Sequence, residues 1–124
     1  MYNDHKVCVI LPAYNEEPTI GAVLDRIPGY VDKVVVVDDG STDKTAKIAL
    51  EKDAVVVAHS RNRGVGTAFQ TGVKKALELN ADVMVNMDAD GQFDPEDIEK
   101  LIEPIIRGEA DFVTASRFVD SRMT

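Results

Sequence analysis

Short runs rich in valine and isoleucine alternate with segments of helical periodicity along nearly the whole chain. Residues 6–11, 33–37, 54–59, 82–87 and 111–115 have the length and composition of strands. These runs show little alternation of polar and apolar residues, which is the pattern of strands covered on both faces. The sequence therefore predicts an α/β fold, with a doubly wound, mostly parallel sheet and helices on both faces.

Four segments between or after these runs have helical periodicity. They cover residues 18–27, 43–52 and 66–80, with a fourth that opens at 94–97. Ser41 and Thr42 are each able to cap the second helix, and Asp94 with Pro95 provides a cap and a first turn for the fourth. The regular alternation predicts right-handed crossovers between parallel strands.

Two carboxylates separated by one residue, Asp88 and Asp90, follow the fourth apolar run. The carboxyl ends of parallel strands meet at one edge of the sheet, where such folds bind ligands. Both carboxylates can bind one cation there, and Gln92 can add a neutral oxygen; this ligand set favours Mg²⁺ or Mn²⁺. The alternative is that both aspartates make turn hydrogen bonds or cap the next helix, although Asp94 already supplies a cap.

A second acidic pair, Asp38 and Asp39, follows the second run. An acidic residue at the end of a strand commonly binds ribose hydroxyls or the donor edge of a base. The alternative is that one of the two caps the second helix. Two adjacent like charges are unfavourable without a ligand, which favours the binding hypothesis.

Residues 12–16 follow the first run. Tyr14 can stack on a base and Glu16 can bind a ribose or a base edge, while an ordinary loop between strand and helix is the alternative. A strand order of 3-2-1-4 puts this segment and residues 88–92 on the two sides of the topological switch point, with residues 38–41 beside them.

A loop with two arginines, Arg61 and Arg63, precedes the third helix and can meet a diphosphate. It has neither the Walker A pattern nor the third glycine of the dinucleotide fingerprint. His59, at the end of the third run, is expected to be structural.

Charge and composition restrict the partners. The 14 Lys and Arg against 22 Asp and Glu give a net charge of −8, which argues against nucleic acid. The same charge disfavours a diphosphate unless a cation accompanies it. With 124 residues, one cysteine and no apolar run approaching the roughly 18 residues of a membrane span, we expect one soluble, cytoplasmic domain without an intramolecular disulfide.

Five segments together resemble the family-two inverting glycosyltransferases of the GT-A fold, especially the dolichyl- or polyprenyl-phosphate sugar transferases. They are LPAYNEE at 11–17, VVVDDGSTDKT at 35–45, RNRGVG at 61–66, MDADGQ at 87–92 and ASRF at 115–118. The resemblance runs from about residue 6 to residue 118, in the family's order and approximate spacing.

The resemblance implies a UDP- or GDP-sugar donor, a divalent metal and transfer with inversion to a lipid phosphate or sugar acceptor, at the cytoplasmic membrane face where the acceptor is a lipid. It implies the base near Pro12, Ala13, Tyr14 and Asp39, the ribose near Glu16 or Asp38, the metal on Asp88, Asp90 and Gln92, and a phosphate near Arg117.

Members of this family continue into a half that builds the acceptor site and commonly supplies a catalytic carboxylate. We therefore expect residues 1–124 to be a single donor-binding domain without the acceptor half. One hypothesis is a glycosyltransferase, and the other is a donor-binding module without turnover on its own, which another chain or a missing C-terminal half completes. A half-domain with an uncovered sheet edge or apolar face also tends to form a homo-oligomer. A receiver-like signalling domain would need an aspartate after the third strand, where His59, Ser60 and Arg61 stand.

Overall fold

The computed structural model describes residues 1–2, 4–89, 94–106, 113–114 and 119–120. The strands are β1 (Val7–Ala13), β2 (Lys33–Asp39), β3 (Val55–His59), β4 (Val83–Asn86), β5 (Val113–Thr114) and β6 (Val119–Asp120). The helices are α1 (Glu17–Asp25), α2 (Thr45–Glu51), α3 (Val65–Glu78) and α4 (Ile98–Ile106), the last preceded by a 3₁₀ turn at Pro95–Asp97. The predicted alternation of strands and helices is confirmed.

The strands form one sheet in the order β3-β2-β1-β4-β5-β6. The pairs β1–β2, β2–β3, β1–β4 and β4–β5 are parallel, as predicted, and β5–β6 is antiparallel. The order 3-2-1-4 of the first four strands is confirmed. Strand β6 was not predicted, because its two residues are too few to give a periodic signal.

Helices cover both faces of the sheet, and β1 lies at the centre. Its odd-numbered residues, such as Val9 and Leu11, pack with α1, α2 and α4, whereas Cys8 and Ile10 face α3. All seven residues of β1 are buried, which explains why its sequence lacks a polar alternation. Burial raises the pKa of the Cys8 thiol to about 11, in agreement with the apolar role expected of it.

The first two strands extend further than the sequence predicted. Ala13 pairs with Asp38, and Asp39 pairs with His59, so both aspartates belong to β2 rather than to the loop after it. Successive side chains of a strand point to opposite faces. The two carboxylates therefore lie on opposite faces of the sheet, and each has hydrogen-bond donors of its own. Their adjacency in sequence does not by itself require a ligand.

Helix α2 begins differently from the prediction, since neither Ser41 nor Thr42 caps it. Asp43 Oδ1 accepts the Thr45 N–H at 3.0 Å instead. The first turn of α1 contains Pro18, as expected. Among the residues that the structure describes, no helix has the length and apolar character needed to cross a membrane.

Candidate functional site

A cavity of about 330 Å³ opens at the carboxyl ends of β1, β2 and β4. Its lining consists of Pro12, Ala13, Tyr14, Glu16, Asp39, Asn62, Gly64, Val65, Ala68, Asp88 and Ala89. Because β1 pairs with β2 on one side and β4 on the other, the cavity lies at the topological switch point of the sheet. The loops after these strands meet there, as the strand order predicted.

Six of the predicted site residues line this cavity: Pro12, Ala13, Tyr14, Glu16, Asp39 and Asp88. Asp38 and Arg63 are described by the structure but are not part of its lining. Asp90, Gln92 and Arg117 lie outside the described residues, and their roles remain predictions.

Asp39 is buried at the end of β2 and accepts three hydrogen bonds. Its Oδ1 atom lies 2.7 Å from His59 Nδ1 and 2.9 Å from the Arg63 backbone nitrogen, and its Oδ2 atom lies 2.9 Å from the Gly64 backbone nitrogen. Burial by itself would raise the pKa of this carboxyl. The hydrogen bonds from His59 and from the two backbone N–H groups outweigh burial, so the pKa lies below its ordinary value.

The same hydrogen bonds hold the loop between β3 and α3 against the cavity. This loop passes directly over Gly40, where a Cβ atom would lie 2.4 Å from the Arg61 carbonyl carbon and from the Asn62 nitrogen. Gly40 also has a φ of +79°, which favours glycine. Arg63 is thus connected to the site through its backbone, and a role for its guanidinium remains a prediction.

The loop between β1 and α1 is fixed by the loop after β2. The Asn15 N–H donates to Ser41 Oγ at 2.8 Å, and the Thr42 N–H donates to Asn15 Oδ1 at 2.8 Å. Asn15 has a φ of +51°, a conformation that asparagine tolerates better than most residues. These bonds explain why Ser41 and Thr42 do not cap α2, and they place Tyr14, which is 46% exposed, at the cavity.

Asp38 lies on the opposite face of β2 from Asp39. It is 6% exposed, and its Oδ1 atom accepts the Ser41 N–H at 3.1 Å. In the structure it therefore stabilises the turn after β2. The predicted contact with a ribose is not tested by this geometry.

The lining contains one predicted ligand of a hard cation. Asp88 lines the cavity, and it is the only predicted metal ligand among the described residues. Oxygen ligands of this kind are those that Mg²⁺ and Mn²⁺ take. Within the described part of the chain, no three His, Cys, Asp or Glu residues are grouped closely enough to hold a metal, and Asp90 and Gln92 fall outside that part. The residues present fit the predicted cation without completing its coordination.

Several lining residues were not predicted. Asn62, Gly64, Val65 and Ala68 come from the loop before α3 and from its first turns, and Ala89 stands between the two aspartates of the predicted metal site. The loop sequence was interpreted through its arginines. Asn62 stands between these arginines and two residues before a glycine, and its amide was the available signal for a residue that lines the cavity.

These features together define a doubly wound α/β domain with a cavity at the carboxyl edge of a parallel sheet, where such folds bind ligands. The family model for glycosyl transferase family 2 matches residues 8–124. The chain belongs to this family, and the resemblance seen in the sequence is confirmed.

The relatives that the chain matches include proteins of named function. The chain is 40% identical over 132 residues to a UDP-N-acetylglucosamine–dolichyl-phosphate N-acetylglucosaminyltransferase from Methanococcus voltae, covering 92% of this chain and 53% of that protein. It is 38% identical over 122 residues to a dolichol-phosphate mannosyltransferase from Pyrococcus furiosus, covering 92% and 34%. The chain spans about half the length, or less, of the curated relatives it matches.

The solved structures agree with this membership. Glucosyl-3-phosphoglycerate synthase from Mycobacterium tuberculosis, in complex with Mn²⁺, UDP and glucosyl-3-phosphoglycerate, superposes with a TM-score of 0.71 at 32% identity. The similarity covers 86% of this chain and 41% of that one. The predicted GT-A fold is confirmed.

Proposed function

We propose that this chain binds the nucleotide-sugar donor of a glycosyltransferase, a UDP- or GDP-sugar, in the cavity at the carboxyl edge of its sheet. The observation that carries the proposal is the convergence of residues 12–16, Asp39 and Asp88 on one cavity at the switch point. The relative from Methanococcus voltae, which is named for transfer from UDP-N-acetylglucosamine, supports the same ligand class.

The base lies against Tyr14 and Val65. Both side chains line the cavity and keep exposed surface, 46% and 69% respectively, which a planar base can cover. Asp39 accepts a hydrogen bond from the base edge, with Pro12 and Ala13 beside it. The ribose lies near Glu16, the one of its two predicted carboxylates that lines the cavity.

The diphosphate lies toward Asp88, with a divalent cation held by Asp88, Asp90 and Gln92. Mn²⁺ accompanies UDP-glucose in the solved structure of the mycobacterial synthase, which supports Mn²⁺ or Mg²⁺ here. A cation bound there supplies Lewis-acid stabilisation of the leaving nucleoside diphosphate. The guanidinium groups of Arg63 and Arg117 provide further positive charge for phosphate oxygens.

The acceptor is a polyprenyl or dolichyl phosphate, as the names of the two archaeal relatives support. An ionised acceptor oxygen attacks the anomeric carbon in line with the bond that breaks. The electron pair of that bond leaves with the nucleoside diphosphate, and the sugar configuration inverts. Because this nucleophile is already ionised, the reaction needs positioning more than a protein base.

The chain covers about half the length, or less, of the relatives it matches, and this favours a second candidate function. A segment that matches about half of their length can be a donor-binding module, with the acceptor site supplied by another chain or by a C-terminal half outside residues 1–124. This candidate keeps donor binding and predicts no turnover by the 124-residue chain alone.

A thermal-shift titration with UDP, GDP and ADP, each with and without Mn²⁺, tests donor binding. A ligand that binds the folded state raises the melting temperature by mass action. We expect a metal-dependent rise for UDP or GDP, and no rise with any nucleotide from a folded chain would contradict the proposal. Labelled sugar transfer to a polyprenyl phosphate by the same chain would then exclude the module without turnover.

A further inference from the structure

His59 lies behind Asp39 and joins it to helix α3. Its Nδ1 atom is 2.7 Å from Asp39 Oδ1, and its Nε2 atom is 2.9 Å from Thr71 Oγ1. The side chains of His59 and Asp39 are only 8% and 5% exposed. Both ring nitrogens thus have partners, which fixes the orientation of the ring in the folded protein.

The direction of these hydrogen bonds follows from the carboxylate. The lowered pKa of Asp39 keeps it ionised near neutral pH, and an ionised carboxylate only accepts. His59 Nδ1 therefore carries the hydrogen and donates it to Asp39 Oδ1. In the neutral ring Nε2 accepts from the Thr71 hydroxyl, and in the charged ring it donates to the same oxygen. Asp39 consequently has the same donor at Oδ1 in either state of the ring.

The donors around Asp39 occupy its two oxygens unequally. Oδ1 receives hydrogen bonds from His59 and from the Arg63 N–H, whereas among the described residues Oδ2 receives only the Gly64 N–H. A carboxylate has about four acceptor positions in all, so one position on Oδ2 is left for a ligand in the cavity that Asp39 lines.

We propose that His59 is a positioning residue for base recognition: by fixing Asp39 from behind, it directs one acceptor position of that carboxylate at an N–H group of the donor base. The inference rests on the proposed function, since it requires the base of a nucleotide donor in this cavity. It also gives a role to the histidine that the sequence indicated as structural.

A nucleophilic role for Thr71 does not fit the same geometry. A hydroxyl, an imidazole and a carboxylate in a row also form the catalytic triad of hydrolases, in which the hydroxyl faces the substrate. Here the order is reversed with respect to the cavity, because Asp39 lines it and Thr71 is not part of its lining. The carboxylate is the end of the row that meets a ligand.

The proposal has a consequence for base selection. An acceptor-only carboxylate suits the ring N–H of uracil at N3 or of guanine at N1. Cytosine and adenine carry an unprotonated ring nitrogen on that edge, whose lone pair would face the carboxylate, and a mismatch between buried polar groups gives strong discrimination. We therefore expect the effect of a substitution at His59 on affinity to depend on the N–H group of the base edge and not on the diphosphate.

Two substitutions at His59 separate its two hydrogen bonds. In His59→Asn the amide nitrogen takes the place of Nδ1 and can still donate to Asp39, whereas in His59→Gln the amide takes the place of Nε2 and loses that donor. The probes are UDP and UDP methylated at N3 of uracil, or GDP and its N1-methyl form if the chain prefers GDP. Inorganic pyrophosphate with Mn²⁺ serves as a probe without a base.

We expect His59→Gln to lower the affinity for the preferred nucleotide by about tenfold or more, which is the effect expected from losing a hydrogen bond to a charged group. His59→Asn should retain most of the affinity, and neither substitution should change binding of the methylated nucleotide or of pyrophosphate. Should His59→Gln fail to fold, Thr71→Val, which removes the partner of Nε2, should show a smaller loss with the same dependence on the base N–H.

Three outcomes would overturn the inference. The first is unchanged affinity of His59→Gln for the preferred nucleotide. The second is an equal loss with the methylated nucleotide or with pyrophosphate, since a purely structural role would weaken every ligand alike. The third is a loss of the same size in His59→Asn. If the unsubstituted chain bound none of the nucleotides, the proposed function itself would fail, and that result is separate from these three.

Discussion

The Thr19 hydroxyl, in the first turn of α1, donates a hydrogen bond to the backbone oxygen of Ala89 at 2.7 Å. The two residues are 70 positions apart in sequence. At the other end of α1, Arg26 forms an ion pair of 2.7 Å with Asp94. Helix α1 therefore contacts the chain just before and just after residues 90–93, which contain Asp90 and Gln92 of the predicted metal site.

Replacing Thr19 with valine should weaken metal-dependent nucleotide binding while leaving the fold intact. The substitution preserves the shape of the side chain but removes the hydroxyl that donates to the Ala89 backbone oxygen. Ala89 is adjacent to Asp88, and both residues line the cavity. One such hydrogen bond contributes about 1 kcal/mol. We expect affinity for UDP or GDP with Mn²⁺ to fall about fivefold in calorimetric titration. Thr19→Ser keeps the hydroxyl and should bind as the unsubstituted chain does; equal losses in both variants would contradict this explanation.

Replacing Asp88 with asparagine should abolish the part of nucleotide binding that depends on metal. The amide keeps the size of the side chain but removes the charge that a divalent cation needs. We expect the Mn²⁺-dependent rise in melting temperature with UDP or GDP to disappear. Asp25→Asn is the control, since it removes one charge from an exposed side chain at the far end of α1. An Asp88→Asn variant whose nucleotide binding still required Mn²⁺ would contradict the assignment of Asp88 as a metal ligand.

Much of the fold could be predicted because strands buried on both faces are rich in valine and isoleucine and lack polar alternation. The run before Asp38, four consecutive valines, is typical of a strand covered by helices on both faces, and the alternation of such runs with amphipathic helices leaves few topologies. From that topology the carboxyl edge follows, and with it the meeting of Tyr14, Asp39 and Asp88. Local pattern was sufficient there because each of these residues stands at the end of a strand.

The environment of Asp39 was not predictable, because it depends on pairing between distant segments. Its partner His59 is 20 residues away, and only the register of β2 against β3 brings the two side chains together. Likewise, Ser41 was a plausible cap for α2 by local propensity. The Asn15 N–H from another loop binds its hydroxyl instead, so a tertiary contact determined the outcome.

Replacing Gly40 with alanine should destabilise the protein and move the loop before α3. A Cβ atom there would lie 2.4 Å from backbone atoms of Arg61 and Asn62, and the φ of +79° adds strain. We expect a loss of about 1–3 kcal/mol in the free energy of unfolding measured in urea. Gly29→Ala is the matched control, because a Cβ at that position meets no atom within 4 Å. Similar losses in the two variants would show that contact with the loop is not the cause.

The free energy of unfolding should decrease in acid because Asp39 becomes protonated. Hydrogen bonds from His59, Arg63 and Gly64 overcome the effect of burial and leave its folded pKa below the ordinary value of 3.8. A carboxyl of this kind contributes stability that is fully present above its unfolded pKa and is lost as pH falls through the folded pKa. Urea unfolding from pH 6 down to about pH 3 should therefore show stability falling most steeply below about pH 4.

Asp39→Asn should be less stable at pH 6, and its stability should fall less steeply in acid than that of the exposed-charge control Asp25→Asn. Parallel acid slopes for these two variants would mean that the hydrogen bonds to Asp39 do not favour its ionised form.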